Sequence, residues 1–223
     1  MSCGPSRPAR GRAPGLTNGR SAPVLRDQFK GSLPLTGIAA SGSAMNDAAW
    51  KIRPETPADA AGVEALNEGS FGPGRFAKSA YRLREGVAPV ARLSFVAVEG
   101  EGLLGSVRFW PISVGGHQEL LLGPLAVRGD QRGKGIGIAL MQAGIEAAKG
   151  GPWRGILLVG DEPYYAKVGF SRLPPGRVRF AGPVDERRIL GLSLKGGEML
   201  TVSGEIRRAE IDQPNCADGA ALG

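Results

Sequence analysis

Four glycines fall within residues 129–137, "GDQRGKGIG", interleaved with Arg132 and Lys134. The apolar run "LLLGPLAV" (120–127) leads into this turn, and "IALMQAGIEAAK" (138–149) leaves it with helical spacing. A helix that starts there has backbone N–H groups with no intrahelical partner, and its dipole adds partial positive charge. Without side chains in the way, a phosphate can reach those amides, and the two cations add full charges. The composition therefore predicts an anion site suited to a diphosphate. A glycine-rich connector with no ligand is the plainer alternative.

Two familiar phosphate motifs fail on spacing. A nucleoside-triphosphate P-loop needs Ser or Thr after Gly133-Lys134 and a glycine at Arg128, whereas Gly135 follows the lysine. A dinucleotide fingerprint would need glycine at Ile138 or Leu140. A third pattern fits: Arg or Gln, two residues, Gly, one residue, then Gly or Ala. Arg132-Gly133-Lys134-Gly135-Ile136-Gly137 satisfies it after an apolar strand and before a helix. Downstream, "YYAKVGF" sets Tyr165 four residues before Gly169-Phe170.

Together these segments resemble the GNAT (Gcn5-related) N-acetyltransferase superfamily over roughly residues 48–205, and in particular its bacterial members of undefined substrate. The resemblance implies acetyl-CoA as co-substrate, with its diphosphate on Arg132, Gly133, Lys134, Gly135, Ile136 and Gly137. It implies direct attack of an acceptor amine on the thioester, with no covalent enzyme intermediate. It also places the backbone amides of Leu125, Ala126 and Val127 along the pantetheine arm, as an added strand would lie. Tyr165 takes the position of the general acid that protonates the departing thiolate. Its neighbour Tyr164 points about 100° away on a helix and is the rival for that role.

Two positions depart from the family pattern. Where some members carry a glutamate on the fourth strand, this chain has Leu121; Glu119 lies two residues earlier on the same sheet face and is the candidate base, acting through water. A water chain with no protein base is the alternative. After the fifth strand, "GDEPYY" replaces an asparagine that contacts the cofactor arm in many members. Asp161 is expected to cap the short helix there.

The elements that must position these groups alternate along the chain. "WKIRPE" reads as a strand and "TPADAAGVEALNEG" as a helix capped by Thr56, with Pro57 first and Asp59 closing a capping box. "RFAKSAYRLREG" reads as a second helix that brings Arg75, Lys78, Arg82 and Arg84 together and would align Arg75, Lys78 and Arg82 on one cationic face. That face would suit a carboxylate-bearing acceptor, or would simply be solvated. Three strands follow in "LSFVAVEG", "GLLGSVRFWPISV" and "QELLLGPLAV", joined by hairpin turns. In the next helix Ile138, Met141, Ile145 and Ala148 share the buried face. "RGILLVG", "RILGLSL" and "EMLTVSGEI" supply the remaining strands. The expected fold is α/β: one acyl-CoA N-acyltransferase domain with a mixed, mostly antiparallel sheet, a splayed fourth and fifth strand pair, and flanking helices.

Composition adds exclusions. Of the net charge of +7, residues 1–44 contribute five units, from six basic side chains against Asp27. With seven Gly and five Pro and few large apolar groups, that segment reads as a disordered extension, a targeting peptide, or sequence ahead of a start at Met45. The domain is expected over residues 45–208, with a flexible tail at 209–223. The basic charge thus mostly reports that segment and is weak evidence for a nucleic-acid surface, so a nucleic-acid partner is not expected, and no run approaches membrane-spanning length. Cys3 and Cys216 lie outside the patterned body and His117 stands alone, so no metal centre is expected. The expected protein is a cytoplasmic N-acetyltransferase acting on a small-molecule or peptide amine. A non-catalytic acyl-CoA sensor of the same fold is the alternative, and a homodimer stays open.

Overall fold

The computed structural model describes residues 49–195 and 201–209. The expectations for residues 1–44, for a start at Met45 and for the tail beyond 209 fall outside the described residues, as do residues 198–200 of the last expected strand.

The chain opens with β1 (Lys51–Pro54) and a capped turn into α1 (Ala60–Phe71). The capping box forms: the Asp59 carboxylate accepts from the Thr56 backbone N–H and hydroxyl at 2.8 Å each, and Arg53 holds its other edge. The strands β2 (Phe95–Glu99), β3 (Gly102–Val114) and β4 (His117–Val127) form an antiparallel meander, as the alternating pattern requires. Gly115 and Gly116, both at positive φ, turn β3 into β4, and His117 is the first, exposed residue of β4.

Next come α3 (Ile136–Lys149), β5 (Gly155–Val159), the single-turn α4 (Glu162–Tyr165), β6 (Ser171–Arg172), β7 (Val178–Arg179), β8 (Ile189–Ser193) and β9 (Gly204–Arg208). The sheet runs β1-β2-β3-β4-β5-β8-β6, and β9 pairs with β3 and β7. The β4–β5 pair is parallel, and its neighbours on both sides are antiparallel.

Helix α3 covers one sheet face through Ile136, Leu140, Met141, Ile145 and Ala148, packed with Phe109, Leu120 and Ile156. Ile138 is only partly buried; Ile136 and Leu140 take its place on the inner stripe. The opposite face packs Ile112, Leu121, Leu157 and Ile189 against Leu83 and Leu173. Two apolar layers on one sheet leave its strand ends as the place for a ligand.

The helix expected over residues 75–86 is not continuous. A 3₁₀ turn (Pro73–Ala77) and the single-turn α2 (Ser79–Arg82) replace it, with Lys78 extended between them. Arg75 is therefore buried, donating from Nε to the Tyr81 hydroxyl at 3.1 Å, and does not share an outer face with the exposed Lys78 and Arg82. The Gly72-Pro73-Gly74 run ends α1 and opens the 3₁₀ turn: Gly72 caps the helix at φ 62°, and Pro73 takes the first position, where proline is tolerated.

Candidate functional site

Strands β4 and β5 pair at only two positions, Leu120 with Ile156 and Leu121 with Leu157. Beyond them β5 keeps only β8 as a neighbour and β4 only β3, so the two strands splay and β4 shows an unpaired edge. The β3–β4 ladder also carries a bulge: Val107 faces Leu125 and Phe109 faces Leu122, which sets Gly123 and Pro124 opposite Arg108 alone. Such bulges re-aim a strand beside functional clefts.

The ladder also says which β4 amides are open. The Arg128 N–H donates to Leu104 O at 2.8 Å, so that pair is hydrogen-bonded across β3 and β4. The alternation of an antiparallel ladder then turns the Ala126 N–H toward Ser106, its partner on β3. Those of Leu125 and Val127 point to the open edge. Of the three amides expected to line the arm, two face the cleft and that of Ala126 belongs to the sheet.

At the end of β4 the glycine turn forms as its composition demands. Gly133 and Gly135 sit at φ 81° and 83°, and Gly135 caps α3 in the left-handed conformation. Arg132 and Lys134 are exposed; Arg132 donates from Nε to Val127 O at 3.4 Å, and Lys134 donates to Gln131 at 2.9 Å. Neither pairs with a carboxylate among the described residues, whereas Arg128 is held by Asp130. The loop thus presents two free cations beside the open amides of a 14-residue helix.

Two cavities meet at this edge. One, of about 430 Å³, runs from Arg132, Gly133 and Gly137 along Val127 and Leu125 to Tyr164 and Tyr165. The other, of about 330 Å³, lies between the bulge at Gly123 and Pro124, the β5 end at Leu158 and Val159, and Arg84. Leu125, Phe71 and Tyr165 line both. Of the two tyrosines, Tyr165 therefore stands at the junction, while Tyr164 lines only the loop side and is 37% exposed. The Tyr164 hydroxyl stands over Gly137, where a Cβ would collide with it. Burial, with Tyr164 and Asp161 nearby, pushes the Tyr165 phenol up to about 12, so it stays protonated at neutral pH.

Two expectations need correction. Glu119 is fully buried, accepts from the Gly155 N–H at 2.6 Å and lines neither cavity. It ties the start of β5 to β4, which explains an acid inside a sheet, and its position does not suit a base. Asp161 occupies the N-cap of α4, but its side chain pairs with Arg188 at 3.2 Å instead of closing the helix.

Sequence reasoning grouped Arg84 with Arg75, Lys78 and Arg82 but gave it no place on the cationic face and no role of its own. Its guanidinium lies against Tyr81 and Trp110, 4.9 and 6.0 Å from the ring centroids, and opens on the second cavity. Nothing in "YRLREG" distinguishes it from a solvated helix residue. Phe71, at the end of α1, and Asp185 and Arg188, near the start of β8, also line that cavity.

Comparison with known proteins agrees with this geometry. Residues 91–172 match the family pattern of the acetyltransferase (GNAT) domain. An uncharacterized N-acetyltransferase, YhbS of Escherichia coli K12, is 34% identical over 123 residues, covering 54% of this chain and 72% of that protein. The crystal structure of the Escherichia coli GNAT family N-acetyltransferase YhbS in complex with CoA superposes with a TM-score of 0.62 at 29% identity, over 72% of this chain and 90% of that one. A GNAT family acetyltransferase from Brucella melitensis in complex with acetyl-CoA superposes at 0.55 and 26% identity, over 72% and 96% of the two chains. With the splayed strands, the glycine turn and these relatives in agreement, the chain belongs to the GNAT family of N-acetyltransferases.

Proposed function

We propose that this acyltransferase uses acetyl-CoA to acetylate a primary amine of a small molecule or peptide. One observation carries the reading: the loop cleft and the inner cavity join at Leu125 and Tyr165. The diphosphate would sit on the amides of Gly133–Gly137 beside Arg132 and Lys134, and the pantetheine along the open edge at Leu125 and Val127. This brings the thioester to the junction and leaves the inner cavity to the acceptor. The two relatives in complex with CoA and acetyl-CoA support an acyl-CoA as the co-substrate.

The free amine attacks the acetyl carbonyl; an N–C bond forms, the C–S bond breaks, and the sulfur leaves as a thiolate. Tyr165 donates a hydrogen bond or its phenolic proton to that thiolate; solvent takes the proton released by the amine and returns one to Tyr165 wherever the phenol has given its own. Asp185 is the carboxylate among the described lining residues, and Arg187 grips it with two bonds of 3.0 Å. Water is therefore the proton acceptor in this account.

The test is thiol release from acetyl-CoA across a panel of amines. Amine-dependent turnover is expected, and acetyl-CoA binding without turnover on any amine would favour a sensor instead.

A further inference from the structure

Five charged side chains line the inner cavity: Arg75, Lys78, Arg84, Asp185 and Arg188. Three have carboxylate or cation partners from within the chain. Arg75 faces Glu64 at 3.6 Å, Arg188 faces Asp161 at 3.2 Å, and Asp185 is held by Arg187. Lys78 stands at the exposed rim, where solvent screens its charge.

Arg84 differs from all of them. Its Nε is buried with no hydrogen-bond partner, and its side chain forms no ion pair among the described residues. Its Nη2 reaches the bulge, 3.0 Å from where a Cβ on Gly123 would lie. Tyr81 and Trp110 fix the guanidinium from the sides through their ring faces, and rings cannot supply an in-plane acceptor. Burial pulls its pKa down to about 10, so it remains charged at neutral pH while lacking a counter-ion. A buried guanidinium nitrogen without an acceptor is costly, and natural sites tolerate one where a ligand supplies the missing anion.

We propose that the acceptor is an amine that also carries a carboxylate, bound through that carboxylate to Arg84 in the cavity next to Gly123. This inference rests on the acyltransfer reading and deepens it. The rigid fork of a guanidinium matches a carboxylate with two parallel bonds. A single inner cation balances a carboxylate's single charge better than a phosphate dianion. About 330 Å³ suits a small amino acid. With Tyr165 lining the same cavity, a carboxylate seated on Arg84 leaves the amine free to point toward the thioester at the junction.

The experiment uses the full chain with saturating acetyl-CoA. Amino acids (the common α-amino acids, β-alanine and γ-aminobutyrate) are each compared with the amine lacking the carboxylate, and O-phosphoethanolamine is included. At least one amino acid is expected to exceed its decarboxylated partner by about 100-fold in kcat/KM. Arg84→Gln should remove that preference, mainly through KM, with acetyl-CoA affinity unchanged. Should Arg84→Gln fail to fold, Arg84→Lys, which keeps the charge but loses the fork, is expected to show a reduced preference.

Acetyl-CoA turnover with no preference for carboxylates, or with O-phosphoethanolamine as the strongest acceptor, overturns this inference alone. An unchanged preference in a folded Arg84→Gln also overturns it. Absence of acetyl-CoA binding overturns the acyltransfer reading and this inference with it.

Discussion

Tyr164 and Tyr165 stand edge to face, ring centroids 5.2 Å apart and planes at 84°, and of the two only Tyr165 lines both cavities. Tyr164 covers Gly137 on the loop side, whereas Tyr165 lies between both cavities, against Phe170 and Gly160. Adjacent helical positions diverge by about 100°, which is enough to separate the roles. Tyr165→Phe is expected to lower kcat by about 100-fold with acetyl-CoA affinity little changed, since a general acid contributes roughly that factor. Tyr164→Phe should leave kcat within about threefold. Steady-state kinetics on the two variants checks both, and the reverse order would exchange the assignments.

The raised phenol has a consequence for pH. A group that titrates near 12 stays neutral, and therefore able to donate, throughout the range in which amines lose their protons. At saturating acceptor, kcat should rise with deprotonation of the acceptor ammonium and show no loss centred near pH 10, the ordinary phenol value. The kcat/KM profile also reports Arg84, which titrates at about 10. A falling limb centred near pH 10 that disappears in Tyr165→Phe would contradict the burial argument.

Glu119 is expected to matter for stability and not for chemistry. Removing its carboxylate leaves the Gly155 N–H without its acceptor inside the sheet. Glu119→Ala should cost roughly 3 kcal/mol in urea unfolding, the cost of a buried polar group left unpaired. Glu119→Gln, which retains an acceptor oxygen, should keep kcat within about twofold in the folded protein. A large loss of kcat at full stability would restore its candidacy as base.

Gly144 on α3 packs directly against Phe109 of β3. A Cβ there would strike the ring of Phe109, which is fully buried. Gly144→Ala is predicted to destabilise by about 1–3 kcal/mol through overpacking, despite the gain in helix propensity. Thermal unfolding measures it; a stabilised variant would mean that the helix shifts freely on the sheet.

Much of this site could be read from the sequence because its parts are local. The glycine turn declares itself through four glycines and two cations between a strand and a helix, and the structure puts that loop where the pattern predicts. Tyr165 is marked by its distance from Gly169-Phe170. What escaped depends on long-range packing. Glu119 looks like a solvated strand end until Gly155 is brought beside it by the parallel β4–β5 pair, 36 residues away in the chain. Arg84 reads as a surface residue because periodicity extends a helix through residues 75–86. The break at Lys78 turns that segment inward, against Trp110 and the bulge. Which of the β4 amides face the cleft is likewise a matter of register, which only the partner strand decides.

The central claim, that the glycine turn receives the diphosphate of acetyl-CoA, is tested most directly by titration calorimetry on the full chain, with desulfo-CoA and ATP as controls. The account predicts micromolar binding of acetyl-CoA, on the order of −8 kcal/mol, with ATP much weaker. Arg132→Glu should weaken acetyl-CoA by at least about tenfold, since a charge-assisted bond is replaced by repulsion. No binding by the folded protein, or an unchanged affinity in Arg132→Glu, would contradict it.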